Sequence, residues 1–258
     1  MDSSSADSIE EPSYGSASIQ SVERAVQLLR LFLPNRGLLG PTEIAQLSGM
    51  SVSTAHRYCS ALRRAGLLRY EADTGRYGLG GGCIELGLAA TESLPVVELA
   101  RPLFSELVQR VDRTAVLGVW DEEGVRIVEV NDHTSAIARI SVRVGSRLSV
   151  FTTAQGLIFL AFDRRVRQRF ARSPEIDSVA ETLKAIERDK CAIVSAAGGE
   201  KVIPGITTVA VPVFLGDLVV ATAAIIGSTE SMPTSADSRI VDHLREVATQ
   251  LGRQLSGQ

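Results

Sequence analysis

Residues 41–79 read PTEIAQLSGMSVSTAHRYCSALRRAGLLRYEADTGRYGL, and this stretch decides the fold of the first part of the chain. Pro41 opens a predicted short helix, which Gly49 ends. Ser51 is a residue type that caps helix N-termini, so a second helix is predicted from there to about Ala65. Two short helices joined by a tight turn that contains glycine form a helix-turn-helix.

A hairpin is predicted directly after these helices. Gly66 stops the second helix, and residues 67–79 suit two short strands around the turn Asp73-Thr74-Gly75. A helix is also predicted before the motif, over residues 21–33, as the third wall of a small core. Its apolar residues at helical spacing are Val22, Ala25, Val26, Leu29, Phe32 and Leu33. The sequence therefore predicts a helix-turn-helix of the winged variety.

The second helix of the motif has one apolar and one polar face. The apolar positions are Val52, Ala55, Cys59 and Leu62. The polar positions are Ser53, Thr54, Arg57, Ser60 and Arg64. Small hydroxyls near a helix start can lie close to base edges, and an arginine one turn later can reach guanine or a phosphate.

Double-stranded DNA is the partner that this pattern favours. The candidate contacts are the five polar positions together with Thr42 and Ser51 at the two helix starts and Arg69 and Arg76 in the hairpin. An amphipathic helix with a merely solvated polar face is the alternative. The preceding helix, the turn and the basic hairpin favour DNA over that alternative.

Charge is distributed unevenly along the chain. The net charge of the 258 residues is −3 and the pI about 5.7, which is not typical of a nucleic-acid binder. Residues 18–80, however, carry eight arginines and four acidic residues, a net charge of +4. Positive charge therefore collects where phosphate binding requires it. Because this charge is modest, we expect a dimer or larger assembly to bind DNA.

Neither a metal nor a cofactor is predicted. Cys59, Cys83 and Cys191 lie far apart, without the spacing of a zinc site or a disulfide framework. GLGGGC at residues 78–83 resembles a dinucleotide fingerprint but carries cysteine where the third glycine belongs. No apolar run is long enough to span a membrane and no signal-peptide pattern is present, so we expect a cytoplasmic protein.

Four segments are expected along the chain. They are a disordered Ser-rich tail (1–17), the winged helix-turn-helix (18–80), a glycine hinge with a linker helix (81–94) and a second domain (95–258). In the second domain, one helix is predicted to begin at Pro95 and another to cover residues 153–162. A more polar helical stretch is predicted to follow it to about residue 190, and a last helix to cover residues 235–255. Strands are predicted at 115–120, 125–130, 137–144, 205–214 and 218–227. This order indicates an α+β domain in which helices pack on an antiparallel sheet.

Over residues 18–255 the chain resembles the IclR family of bacterial transcriptional regulators. SVERAVQLL, GMSVSTAHRYCSALRRAGLL and GRYGLG match its DNA-binding domain, and RVGSRLSVFTTAQGLIFLAF and GITTVAVPVFLG match its second domain. The resemblance implies a linker helix, a C-terminal effector-binding domain of GAF-like fold, and a homodimer or homotetramer that responds to a small metabolite. The family's basic residue at the start of the recognition helix is replaced here by Val52.

The same resemblance implies an effector pocket. Its expected residues are Thr152, Thr153, Ala154, Gln155, Gly156, Cys191, Thr208, Ala210, Ala224 and Ile226, with Trp120 as a possible wall. Because several of these side chains are apolar, we expect an effector with an apolar or aromatic body.

Three other functions are weighed against this one. An enzyme is disfavoured because no nucleophile, paired-carboxylate or phosphate-loop motif is present; Asp132 and His133 form a pair without a nucleophile nearby in sequence. A DNA-binding protein without an effector would not need so large a second domain. A GAF-type module that binds proteins would be recognised by the partners that co-purify with it.

Overall fold

The computed structural model describes residues 19–33, 37–132, 142–195 and 205–257. The chain divides into two compact units, with the boundary between Ala90 and Thr91. The expected disordered tail, His133 and most of the strand expected at residues 137–144 lie outside the described residues; residues 142–144 form no strand.

The first unit consists of helices and one hairpin. Its elements are α1 (Gln20–Arg30), α2 (Pro41–Ser48), α3 (Val52–Arg64), β1 (Leu68–Glu71), β2 (Arg76–Leu79) and α4 (Gly81–Glu92), whose last residues pass the boundary. β1 and β2 pair in antiparallel fashion. The predicted winged helix-turn-helix is confirmed.

Local signals set the boundaries of these elements. Gly49 ends α2 in the left-handed region at φ 67°, and Gly66 adopts the same region after α3 at φ 74°. The hydroxyl of Ser51 accepts a hydrogen bond from the main-chain N–H of Thr54 at 3.2 Å. Ser51 caps a helix start, and Gly49 and Gly66 turn the chain away at helix ends. These helix ends could therefore be located from the sequence alone.

The core of the first unit differs from the expected one at several positions. Leu28, Ile44, Ala55 and Cys59 are fully or almost fully buried, and Leu28 was not expected there. The expected core positions Val22, Val26, Leu33 and Val52 are instead exposed. α1 ends at Arg30 rather than Leu33, and its buried stripe is displaced toward Leu28 and Phe32.

The glycine run after the hairpin is part of the packing and not a loop. Gly81 and Gly82 form the first turn of α4, which begins earlier than the expected linker helix. A Cβ on Gly80 would stand 2.2 Å from the main-chain oxygen of Gly66, and one on Gly82 would stand 3.0 Å from it. The expected hinge is therefore a place where two backbone segments approach closely.

The second unit is built on one six-stranded sheet. Its helices are α5 (Pro95–Val111), α6 (Ala154–Phe162), α7 (Arg164–Arg169), α8 (Glu175–Asp189) and α9 (Arg239–Leu255). Its strands are β3 (Thr114–Asp121), β4 (Gly124–Asn131), β5 (Arg147–Leu148), β6 (Ala192–Ser195), β7 (Ile206–Leu215) and β8 (Leu218–Ser228). The strand order is β5-β4-β3-β8-β7-β6, and all neighbours are antiparallel.

Helices cover both faces of this sheet. α5 and α9 pack on one face, in a core that includes Phe104, Val209 and Leu244. α6 packs on the other face, with α8 against it, in a core that includes Phe159 and Ala224. The predicted α+β architecture is confirmed.

Some elements were not predicted. β5 has two residues and β6 four, and neither was expected as a strand. The single helical stretch expected before residue 190 is two helices, α7 and α8. α9 begins at Arg239 rather than near Ser235, since Ser238 caps it through the N–H of Val241 at 3.3 Å. No described helix has the length and apolar character that would let it cross a membrane.

Candidate functional site

The polar face of α3 forms one side of a groove in the first unit. Ala55, Cys59 and Leu62 point into the core, so Ser53, Arg57, Ser60 and Arg64 lie on the opposite side of the helix. The groove has a volume of about 630 Å³. Its lining consists of Ser21 and Arg24 from α1 and Thr54, His56, Arg57, Tyr58, Ser60, Ala61 and Arg64 from α3.

The groove carries positive charge without acidic side chains among its lining residues. Arg24, Arg57 and Arg64 all line it, and none makes an ion pair with a described residue. Uncompensated guanidinium groups on one surface attract phosphate oxygens and can donate to base edges. This arrangement suits a polyanion.

The two hairpin arginines are placed differently. Arg69 forms an ion pair with Glu71 across two positions of β1. Arg76 lies 3.2 Å from the carboxylate of Glu43 and donates to the main-chain oxygen of Leu38 at 3.1 Å. Both side chains are partly exposed, but their charge is already offset. Arg69 and Arg76 therefore differ from the arginines of the groove, which have no acidic partner among the described residues.

Hydroxyl groups cluster where α3 begins. The Ser51 hydroxyl lies 3.1 Å from that of Ser53 and 2.9 Å from that of Thr54. Ser51 and Ser53 are exposed, and Thr42 is exposed in the first turn of α2. A DNA base edge or phosphate could exchange hydrogen bonds with this cluster without a change in the helix.

Sequence reasoning missed Ser21 and Arg24 as surface partners of α3. The only signal in the sequence was that Arg24 is the first basic residue of the positively charged region. Only the packing of α1 beside α3 shows that Arg24 and Arg57 line one groove.

Expected effector residues on β7 and β8 lie on the sheet face that α6 covers. Thr208 pairs with Ile226, and Ala210 pairs with Ala224. Ala210 and Ala224 are fully buried, whereas Thr208 is half-buried. Ile226 contacts a separate small cluster with Val116 and Ile127.

The residues expected around the start of α6 are mostly structural. The Thr153 hydroxyl caps α6 by accepting from the N–H of Gly156 at 3.1 Å, and Thr152 is exposed before it. Ala154 is buried, and a Cβ on Gly156 would stand 2.3 Å from the Ser149 main-chain oxygen. These contacts fix the position of the helix start on the sheet.

Gln155 is the polar exception on this face. It is 1% exposed, and its amide donates to the Thr222 hydroxyl at 3.0 Å. Thr222 in turn donates to the main-chain oxygen of Gly118 at 3.3 Å. A buried amide satisfied in this way holds the helix to the sheet, and any ligand at Gln155 would have to replace these hydrogen bonds.

Cys191 lies on the wrong face for the expected pocket. It packs in the core under α5 and α9, whereas its neighbour Ala192 faces α6 with Ala210 and Ala224. Side chains alternate between the faces of a sheet, which separates the two residues. Burial raises the pKa of the Cys191 thiol to about 11, so it is no nucleophile at neutral pH.

Trp120 also lies apart from the other expected residues. Thr114 pairs with Ile226 at one end of β3, and Trp120 is six positions further on, about 20 Å away along the strand. Its ring packs on Phe159 with centroids 5.7 Å apart. Trp120 therefore cannot share a small pocket with Thr208 and Ile226.

The described residues offer little that resembles a catalytic or metal centre. No cluster of three or more His, Cys, Asp or Glu residues within the described ranges is arranged to hold a metal ion. Burial raises the pKa of the Cys59 thiol to about 11, which keeps that group protonated as well.

The two units define a class: a winged helix-turn-helix joined to an α+β unit with an antiparallel sheet. Residues 21–72 match the model of the IclR helix-turn-helix domain, and residues 88–253 match that of the bacterial transcriptional regulator IclR C-terminal domain. The chain belongs to the IclR family. The model matched by residues 88–253 is described as that of bacterial transcriptional regulators.

Similar proteins include two regulators from Escherichia coli. The HTH-type transcriptional regulator XynR is 37% identical over 145 residues, which are 56% of this chain and 57% of that protein. The transcriptional repressor IclR is 27% identical over 146 residues, 55% of this chain and 53% of that protein. The chain thus spans little more than half the length of these relatives.

A solved structure covers more of the chain. An IclR homolog from Microbacterium hydrocarbonoxydans, complexed with 4-hydroxybenzoate, matches with a TM-score of 0.77 and 25% identity. The match covers 92% of this chain and 100% of that one.

Proposed function

We propose that the chain is a transcriptional regulator that binds specific double-stranded DNA through residues 18–80. The groove with Arg24, Arg57 and Arg64 carries this proposal, because three guanidinium groups without acidic partners among the described residues line the polar face of a helix-turn-helix. In this motif the second helix enters the major groove. Arg57 is placed to read a base edge or a phosphate, with Ser53, Thr54 and Ser60 beside it.

Residues 95–258 are proposed to bind a small effector, and residues 81–94 to link this part to the DNA-binding part. The homolog from Microbacterium hydrocarbonoxydans that was solved with 4-hydroxybenzoate supports an effector with an aromatic body. Of the expected residues on β7 and β8, Thr208 is the best suited to contact it, because Thr208 is half-buried whereas Ala210, Ala224 and its pair partner Ile226 are buried. An effector changes DNA affinity only by its different affinity for two states of the protein.

Repression is the proposed direction of control. Two of the similar proteins are named as repressors, IclR of Escherichia coli and the acetate operon repressor of Salmonella typhimurium. In this proposal the protein binds its operator without effector, and the effector releases it. An operator-driven reporter should therefore be silenced by the protein and restored when the effector is supplied.

A homodimer or homotetramer is proposed as the binding form. α4 has no buried residue, and Ile84 and Leu88, one helical turn apart, are 68% and 57% exposed. Exposed apolar residues on one helix face favour association with a second copy. Two copies would also double the modest positive charge that meets the DNA.

A gel-shift titration at fixed salt tests the DNA proposal. The DNA upstream of the chain's own gene is one probe, and pooled genomic fragments are the other. We expect wild type to shift a subset of fragments and Arg57→Ala to weaken that binding roughly tenfold or more. Arg253→Ala removes the same charge from the exposed end of α9 and is the matched control. Equal binding by wild type and Arg57→Ala would contradict the proposal.

The effector proposal has its own test. Aromatic and aliphatic carboxylates are screened for a shift in melting temperature and for release of the bound fragment in the same assay. A compound that does both supports effector control, and Thr208→Val should weaken it. Tight DNA binding that no compound changes would instead favour a DNA-binding protein without an effector.

A further inference from the structure

A second cleft lies in the α+β unit, away from the pair Thr208–Ile226. It has a volume of about 650 Å³ and opens between the β3–β4 turn, α7 and the start of β8. Among its lining residues are Trp120, Phe159, Val166, Arg169, Leu218 and Val219. This volume is within the usual range of small-molecule sites. Neither Thr208 nor Ile226 lines it.

The floor of the cleft is apolar and held in place. Phe159, Val166 and Val219 are almost fully buried. The Trp120 ring is fixed by Phe159 and by the edge of Phe170, with centroids 5.7 and 6.3 Å away. Leu218 is 65% exposed at the rim. A fixed indole face beside an exposed leucine is apolar surface that a ligand can cover.

Two of the acidic side chains that line the cleft have basic partners, whereas one of its arginines has no acidic partner among the described residues. Asp121 is bonded to Arg126, and Asp163 to Arg165, so both carboxylates are neutralised. Arg169 lines the cleft and donates only to the main-chain oxygen of Glu122, which leaves its positive charge without an acidic side chain among the described residues.

Arg169 is therefore the charged lining residue that can meet the charge of a ligand, because the carboxylates of Asp121 and Asp163 are already paired. Glu122 also lines the cleft, where its main-chain oxygen accepts from Arg169, and it lies in an exposed turn in which water screens its carboxylate. An anionic group at Arg169 is therefore favoured over a cationic one.

From this arrangement we infer that the cleft is a separate binding site for a small carboxylate with an apolar body. The body covers the face of Trp120 and contacts Val166 and Val219. The carboxylate accepts hydrogen bonds from the Arg169 guanidinium, which lines the cleft and keeps N–H groups beyond the one donated to Glu122. Together with the proposed effector pocket near Thr208, this site gives the α+β unit two ligand positions, which lie at opposite ends of the strands of its sheet.

The chain contains one tryptophan, so Trp120 is a built-in fluorescent reporter for this cleft. Cyclohexanecarboxylate is a suitable probe because it neither absorbs nor emits in the indole range. Cyclohexanecarboxamide and cyclohexylmethylamine keep the body and replace the charge. We expect a saturable change in fluorescence with the carboxylate, and binding at least tenfold weaker with the amide and the amine.

Three variants separate this site from the proposed effector pocket. Arg169→Gln and Leu218→Glu, both at exposed positions, should each weaken carboxylate binding roughly tenfold, and Thr208→Val should leave it unchanged. Calorimetry with the same probe verifies the fluorescence result, and circular dichroism verifies the fold. The inference is overturned if the amine binds as tightly as the carboxylate, if Thr208→Val alone weakens binding, or if neither method detects saturable binding.

Discussion

Asp163 shows how one side chain joins two helices of the α+β unit. It follows α6, and its carboxylate caps α7 by accepting from the N–H groups of Arg165 and Val166 at 2.8 and 3.4 Å. Arg165 also lies 3.0 Å from the second carboxylate oxygen. Burial alone would raise the pKa of Asp163, but the hydrogen bonds and charge of Arg165 outweigh it and hold the pKa below its usual value.

Replacement of Asp163 should lower the free energy of unfolding. Asp163→Ala removes the cap and should cost about 1 kcal/mol, which urea unfolding can measure. Asp163→Asn keeps a capping oxygen and should cost less. Because the folded pKa is lowered, the carboxylate's contribution is present above the pKa of the unfolded side chain and disappears as pH falls through the folded pKa. Equal loss in both variants at neutral pH would contradict the capping role.

Arg24 tests the part of the interface that sequence reasoning missed. Arg24→Ala should weaken DNA binding and make the affinity less dependent on salt, since each lost phosphate contact lowers the salt slope by about 0.9. Arg69→Ala removes an arginine that Glu71 already neutralises, so its effect should be smaller. Affinities measured over a series of salt concentrations compare the two. A larger effect of Arg69→Ala would show that the hairpin dominates the contact.

Among the elements, the junction of the hairpin with α4 depends on the absence of a side chain at Gly80. A Cβ there would stand 2.2 Å from the Gly66 oxygen, whereas one at Gly81 would meet nothing within 4 Å. Gly80→Ala should therefore lower the melting temperature of the first unit and weaken DNA binding. Gly81→Ala is the matched control and should leave stability unchanged or slightly raised. If both variants melt alike, the close approach does not stabilise the unit.

Elements with strong local signals could be predicted from the sequence. Gly49, Ser51 and Gly66 act on the residues beside them, so α2, α3 and the hairpin were located correctly. β6 could not be predicted in this way, because no short turn joins its four residues to a partner strand and its place at the sheet edge depends on β7.

The candidate sites were less predictable because they depend on distant parts of the chain. Arg57 could be found from helical spacing alone. The opposite faces of Cys191 and Ala192, and the distance of Trp120 from Ile226, follow from sheet register. A stretch of sequence does not reveal that register until its partner strands are known.

On the scale of the whole molecule, the exposed face of α4 predicts association between copies. The double variant Ile84→Glu, Leu88→Glu should shift the protein toward monomer in sedimentation velocity and weaken DNA binding. Glu85→Gln changes a neighbouring polar position and should leave both properties as in wild type. An unchanged oligomer in the double variant would place the association elsewhere.

Selection of genomic DNA by the purified protein tests the central claim most directly. Fragments of the source genome are incubated with wild type, Arg57→Ala or Arg253→Ala, and the bound DNA is sequenced. We predict that wild type and Arg253→Ala enrich the same few fragments, which share a common sequence, and that Arg57→Ala loses this enrichment. Wild-type protein that enriches no fragment, or Arg57→Ala that enriches the same set equally well, would contradict the assignment of α3 as the DNA-reading helix.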